Sequence, residues 1–314
     1  MKRFVKIFDY VFVLRPTLFF PVWTVYAAGY FAYHRFAPSG TNGATQGMSE
    51  DAILLLFFLT LLMGSGYILN QLCDVETDAR NNKLFLIAQR HVPPFAAWSE
   101  MILLLVLGLA VAWQHSLAMG LLFLAIYLVT GIFYNVAPFR MKDRPLLGVF
   151  ANAAGALLIF AAGWWSMQAD WEKVALHALP YMLAVAAVYL YTTLLDLEGD
   201  AAENKITFGV KYGWRATVIT GCAMEFVAAI IAYVVNDPII LIPSLLAAPF
   251  FLMAVIKQRR SDIARAIKLP IAFLALAICF KVWQYLLLLS FVFYFSKWYY
   301  HHRFGLKYPS LSAE

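Results

Sequence analysis

Apolar runs long enough to cross a hydrocarbon layer recur along this chain, and they leave room for little else. A bilayer core about 30 Å thick takes roughly 20 apolar residues as a helix. Runs of this kind cover 17–34, 51–70, 98–113, 116–136, 146–166, 175–196, 216–234, 238–257 and 270–296. The chain is 63% hydrophobic and 13% charged, whereas soluble domains are about half apolar and a quarter charged. The expectation is an all-α polytopic membrane protein of nine transmembrane helices forming one domain over 1–314. An N-terminal segment at 1–16 precedes the helices, and a basic tail at 298–314 follows them. The third run is short, and WQHS at 113–116 reads as a tight hairpin into the fourth.

Lys and Arg in the loops set orientation. Lys2, Arg3, Lys6 and Arg15 precede the first run, and alternate loops then carry Arg80, Lys83 and Arg90; Arg140, Lys142 and Arg144; Lys205, Lys211 and Arg215; and Lys257, Arg259, Arg260, Arg265 and Lys268. The other loops hold chiefly Arg35 and Lys173. The N-terminus is therefore expected in the cytoplasm, the inner membrane being the site in a bacterium. Nine spans leave the tail outside, although SKWYYHHRFGLKYPS is basic and Lys281 and Gln284 interrupt the last run. Two short half-spans would return it inside, but nine is the count adopted. The net charge of +6 suits anionic lipid, so membrane lipids are the expected partners and nucleic acid is not. Cys73, Cys222 and Cys279 follow no metal spacing and read as free thiols, and no cleavable leader is evident.

The second run ends in YILNQLCDVETD, the sixth in YTTLLDLEGD. Asn70, Asp74 and Asp78 are spaced by four, so on a helix they form one stripe about 12 Å long. Asp196 and Asp200 form a second such pair, and the two motifs suggest loosely repeated halves. Like charges at i,i+4 repel, and carboxylates at a helix C-terminus face the negative end of its dipole. A cation is the natural compensation. Oxygen ligands without His or Cys favour a hard ion, and Mg²⁺ typically takes one or two carboxylates and completes its shell with water and phosphate oxygens. Two facing clusters would suit a diphosphate, whose departure such an ion assists. Solvated boundary carboxylates are the plainer reading of either pair alone; two pairs on one side, each followed by a basic residue, weaken it.

These residues resemble the UbiA superfamily of intramembrane prenyltransferases. Its first motif, Asn-x3-Asp-x3-Asp, matches Asn70, Asp74 and Asp78. Its second matches DLEGDAAENKITFGVKYG, giving Asp196, Glu198, Asp200, Lys205 and Thr207. A third stretch, YNVAPFRMKDRPLLGVFANAAG, supplies Tyr134, Pro138, Arg140, Lys142 and Asn152, and Arg15-Pro16 fits the start of the first span. The resemblance implies a ring of nine helices around a central cavity and an enzyme that ionises an allylic isoprenoid diphosphate with Mg²⁺. It also implies metal and catalytic roles for Asp74, Asp78, Asp196 and Asp200, with substrate contacts from Asn70, Tyr134, Arg140, Lys142, Asn152 and Lys205. One departure is visible: where many members continue Lys-x-Arg-Pro, this chain keeps Lys83 but has Leu84, Phe85 and Leu86, leaving Arg80 or Arg90 as substitutes.

Other polar residues carry two readings each. Glu225 lies mid-span, where carboxylates are costly and often functional; the plainer alternative is a hydrogen bond between helices. Asn152 is either a substrate contact or interhelical glue. Gly64 and Gly66 widen a cavity or allow close packing, the second being favoured. His301 and His302 read as solvated tail, the Lys257–Arg260 cluster as a topology signal, and His91, Pro93 and Pro94 as a connector rather than a cap. The leading function is prenyl transfer to an aromatic acceptor of a quinone-, haem- or chlorophyll-type pathway. A glycerol-phosphate lipid acceptor comes next. A cation transporter competes from another class, but transporter sites favour the midplane, and cation flux lost in Asp74→Asn would distinguish it. A scaffold without catalysis would tolerate Asp74→Asn and Asp196→Asn.

Overall fold

The computed structural model describes residues 5–36, 47–75, 78, 85–167 and 171–309. Arg80, Lys83 and Leu84, like Lys2 and Arg3, lie outside these residues. Among the described residues the chain forms ten long helical rods: α1 Phe19–Phe36, α2 Glu50–Cys73, α3 Pro94–His115, α4 Leu117–Tyr127, α5 Pro145–Trp165, α6 Trp171–Leu195, α7 Phe208–Val234, α8 Pro238–Lys257, α9 Arg260–Cys279 and α10 Trp283–Phe304. A π-helical stretch, Leu128–Phe133, extends α4. The hairpin expected at WQHS is present: Ser116 is extended and its Oγ accepts from Met119 N, capping α4. The third run is not short, because Pro94 opens α3 and gives it 22 residues.

The run at 270–296 is divided between two rods, where a single span was expected. Phe280 to Val282 interrupt it, and Val282 is extended, so α9 and α10 are separate rods of 20 and 22 residues. Lys281 and Gln284, the polar residues that interrupt the run, mark this break. The tenth rod returns the tail to the face that carries the N-terminal segment. There Arg303 grips Asp9 with Nε and Nη2, each at 3.0 Å, while Tyr299 donates to the same carboxylate at 2.7 Å. Thr17 and Tyr308 share a hydrogen bond nearby. His91 lies against Arg303 and Phe304, a connector position as expected.

Sequential rods pack against each other, and α9 returns to α1, closing a circuit around a central cavity. The α10 rod lies outside that circuit, against α9 and Pro16–Leu18, with Phe12 stacked on Tyr299 at 3.7 Å between ring centroids. The tightest crossing joins α1 to α5. A Cβ on Gly163 would stand 1.9 Å from the Tyr26 carbonyl oxygen, and one on Gly29 would stand 2.0 Å from that of Phe160. Backbone meets backbone there, so no side-chain movement could admit a methyl group. In lipid, where the hydrophobic effect gives helices little reason to associate, such contact is a main source of cohesion.

Two outcomes follow from this packing. Gly163→Val should lower the melting temperature sharply in detergent, by the equivalent of about 1–3 kcal/mol or more. Gly199→Ala, whose Cβ meets nothing within 4 Å, should leave it unchanged. Arg303→Ala strands a buried Asp9 carboxylate, so limited proteolysis should clip the C-terminal end of α10 several-fold faster; equal clipping rates would show that the tail is held by its aromatic packing alone.

Candidate active site

The cavity inside the circuit has two lobes, of about 390 and 450 Å³. Both are walled by α1, α5 and α6 and share Arg15, Leu18, Pro21, Val25, Tyr134, Asn152 and Val185. The first lobe runs toward α2 and the π-helical stretch, past Met63, Gly66 and Thr130. Gly66 therefore borders the cavity, whereas Gly64 packs against Leu14 and Phe19, so the two glycines divide the roles expected of them. The second lobe runs toward α7, α8 and α9. A polar recess of about 170 Å³ adjoins both lobes through Tyr134 and is lined by Lys142, Asp143, Tyr189, Asp196, Asp200, Lys205 and Thr207, among others.

Local backbone places each acidic pair as its spacing requires. Asp74 follows the last turn of α2, and Asp78 N bonds back to Asp74 O at 2.8 Å. Asp196 follows α6, and Asp200 N bonds to Asp196 O at 2.8 Å within the short helix Leu197–Ala202. Arg260 fixes the end of α6 by donating to Leu195 O. The loop after α4 joins the motifs: Ile206 N donates to Asp143 O at 3.1 Å, and Arg140 bonds Asp143 at 2.8 Å. From that loop Lys142 and Arg140 both reach Asp74, the arginine at 3.2 Å. Arg140 and Arg15 hold left-handed backbone at φ 35° and 55°. Such geometry costs a bulky residue of order 1–3 kcal/mol and persists only where surroundings enforce it.

The electrostatics bring the two motifs together. Burial and then the Asp74 charge push the Asp78 carboxyl up to about 7, against opposing fields from Arg15, Lys142 and Lys205. Burial alone would lower the Lys205 ammonium, but its 2.7 Å bond to Glu203 outweighs this, and both Asp74 and Asp200 add to the effect. One lysine thus feels a carboxylate from each motif. Asn70 donates to Asn135 at 2.6 Å and borders the first lobe. Asn152 bonds Gly148 O within α5, hydrogen-bonds the Tyr134 side chain at the end of the preceding element, and borders both lobes. Arg15, Tyr189 and Asn135 also line the cavity and were absent from the residues expected to touch substrate. Arg15-Pro16 was the available signal for the first; nothing local marks Tyr189, which only the fold of α6 turns inward.

The donor set fits a hard cation in one specific way. Asp78 Oδ2 and Thr207 Oγ1 are buried with no hydrogen-bond partner among the described residues. Those residues contain no group of three or more His, Cys, Asp and Glu able to enclose a metal ion. The described residues therefore offer no all-protein cage, and carboxylates in twos suit Mg²⁺ whose remaining ligands come from water and phosphate.

A family model described as the UbiA prenyltransferase family matches residues 21–277. Among curated proteins, the chain is 29% identical over 190 residues to a digeranylgeranylglyceryl phosphate synthase of Methanoculleus marisnigri, covering 59% of this chain and 66% of that one. It is 29% identical over 200 residues to a homogentisate phytyltransferase of a Synechocystis strain, covering 57% and 64%. These matches thus span just under two thirds of either relative's length. Among solved structures, a UbiA homologue from Archaeoglobus fulgidus bound to GPP and Mg²⁺ superposes with a TM-score of 0.66 at 22% identity, covering 86% of this chain and 98% of that one.

Lys142→Met tests the recess directly. Asp74 keeps Arg140, so the melting temperature should hold, while pyrophosphate affinity in Mg²⁺ buffer, read by calorimetry, should fall at least about tenfold, as for a lost hydrogen bond to a charged group. Unchanged affinity would remove Lys142 from the anion site.

Proposed function

The chain belongs to the UbiA prenyltransferase family, and from that premise we propose that it transfers a prenyl group from an allylic isoprenoid diphosphate to an acceptor, with the mouth of the cavity on the cytoplasmic side. The observation that carries this reading is the placement of two i,i+4 aspartate pairs beside a recess containing Lys142 and Lys205, at the mouth of a two-lobed apolar cavity. Charge and grease meet at one point, as an amphiphile with an anionic head requires.

Asp74, Asp78, Asp196 and Asp200 would hold Mg²⁺, which when bound neutralises phosphate charge and makes diphosphate a better leaving group. Lys142, Lys205 and Arg140 offer N–H donors to the phosphate oxygens. As the allylic C–O bond breaks, its electron pair leaves with diphosphate, and these cations stabilise the growing negative charge. The carbocation that remains lies beside Tyr134 and Tyr189, which line the recess; their ring faces attract cations. The apolar lobes take the prenyl tail and keep water from quenching the cation. A new bond from acceptor to prenyl carbon forms, and the acceptor loses a proton.

An aromatic acceptor is the leading reading, in line with the similarity to the phytyltransferase. A glycerol-phosphate lipid is the second, supported by the similarity to the archaeal synthase. Both are resolved by one assay: purified protein in detergent with geranyl, farnesyl and geranylgeranyl diphosphates, Mg²⁺, and both acceptor classes, read by mass spectrometry. Asp74→Asn and Asp196→Asn should each lower turnover by at least about a hundredfold, the usual scale for losing a partner of developing charge, with insertion and melting intact. Near-normal turnover in either variant would sink the metal assignment.

A further inference from the structure

Deep within its span, the second lobe is lined by polar groups that the reaction above does not use. Glu225 on α7 is 1% exposed and borders this lobe, and its Oε2 has no hydrogen-bond partner among the described residues. Ser244 on α8 is equally buried, borders the same lobe, and lies within hydrogen-bonding reach of the Glu225 carboxyl. The other polar groups at this depth are committed elsewhere. Tyr181 donates to Asp237, and Thr24 bonds Phe20 O and Tyr285. A carboxyl in the middle of a span is costly, and one with an unpaired oxygen more so, so the pair is a poor wall for a hydrocarbon tail.

Its depth is fixed by the helices. α6 and α7 run antiparallel, in register through Tyr191 with Val218 and Ala187 with Gly221, which sets Glu225 level with Ala184. Ala184 precedes Asp196 by twelve residues, so the pair lies about 18 Å below the level of Asp196 at 1.5 Å per residue. We propose that Glu225 and Ser244 form a subsite for a hydroxyl group carried at the far end of an otherwise apolar ligand. The hydroxyl donates to Glu225 Oε2, which otherwise has no partner among the described residues, and accepts from Ser244 Oγ. The remaining wall at this level, Val25, Ile240, Pro243 and Leu274, selects for an apolar shaft. The proposal rests on the diphosphate reading only in the head group chosen for the probes.

The test uses full-length protein in detergent and two ladders of increasing chain length, ω-hydroxyalkyl phosphates and the matching alkyl phosphates, with affinities read by calorimetry. The hydroxyl should tighten binding most at one chain length, by about fivefold to tenfold, the scale of one added hydrogen bond. Glu225→Leu should erase that preference while binding the plain alkyl phosphates as well or better, and Ser244→Ala should reduce it. Glu225→Met replaces the leucine variant if that one does not fold. No preference at any length in the wild type, or a preference that survives loss of the carboxyl, overturns the subsite. If neither phosphate ladder binds, the diphosphate reading fails instead, and long-chain alkanols against matched alkanes decide the subsite by the same comparison.

Discussion

A hydrocarbon layer supplies no hydrogen-bond partner, and that one constraint shapes nearly every feature of this protein. Backbone groups must satisfy one another within each segment, so a single chain this apolar crosses as helices. Ionisable side chains are pushed to the helix ends, where partners exist. Asp9 meets Arg303 and Tyr299 beneath the tail; Asp237 caps α8 by accepting from Ile239 N and bonds Tyr181; Asp74 meets Lys142 and Arg140 at the mouth. Each pairing closes a gap between elements that the apolar faces alone would leave unregistered.

Because charge collects at the ends, the site is built at a boundary and not within a broken helix. The loop between α4 and α5 is its keystone. It sends Lys142 and Arg140 to the first acidic motif and accepts Ile206 N from beside the second, so Lys142 joins Asp74 of the first motif to the recess lined by Asp196 and Asp200 of the second, more than a hundred residues away. Burial, and then the neighbouring Asp74 charge, raise the Asp78 carboxyl, and a divalent ion with an anionic substrate is the chemistry that would relieve both. Cation sites in transporters are more often set near the midplane at unwound helices; here the carboxylate pairs sit past helix ends.

The sequence made much of this legible because its strongest signals are local. Spans follow from apolar run length, and the two stripes follow from spacing by four; the bonds from Asp78 N to Asp74 O and from Asp200 N to Asp196 O obey that spacing. The division of the last run into two rods has a local cause as well. Over 270–296 the apolar residues run on with only Lys281 and Gln284 to interrupt them, and hydropathy averages over the three-residue turn that separates α9 from α10. Restoring that turn reconciles the basic tail with the other basic loops, since parity brings it back to their face.

What the sequence determined by itself was the class of structure, the identity of the acidic and basic groups, and the side of the helices on which they gather. These depend on intervals of a few residues and on the price of charge in lipid. Tertiary structure alone decided which residues meet. The glycine crossing of α1 on α5, the inward turn of Tyr189, the inclusion of Arg15 in the cavity wall and the placing of Glu225 beside Ser244 in the second lobe each depend on the rotation of one helix against another. A helix in lipid is apolar on most of its circumference, so periodicity barely distinguishes the face toward lipid from the face toward the cavity, and only packing among all the rods settles it.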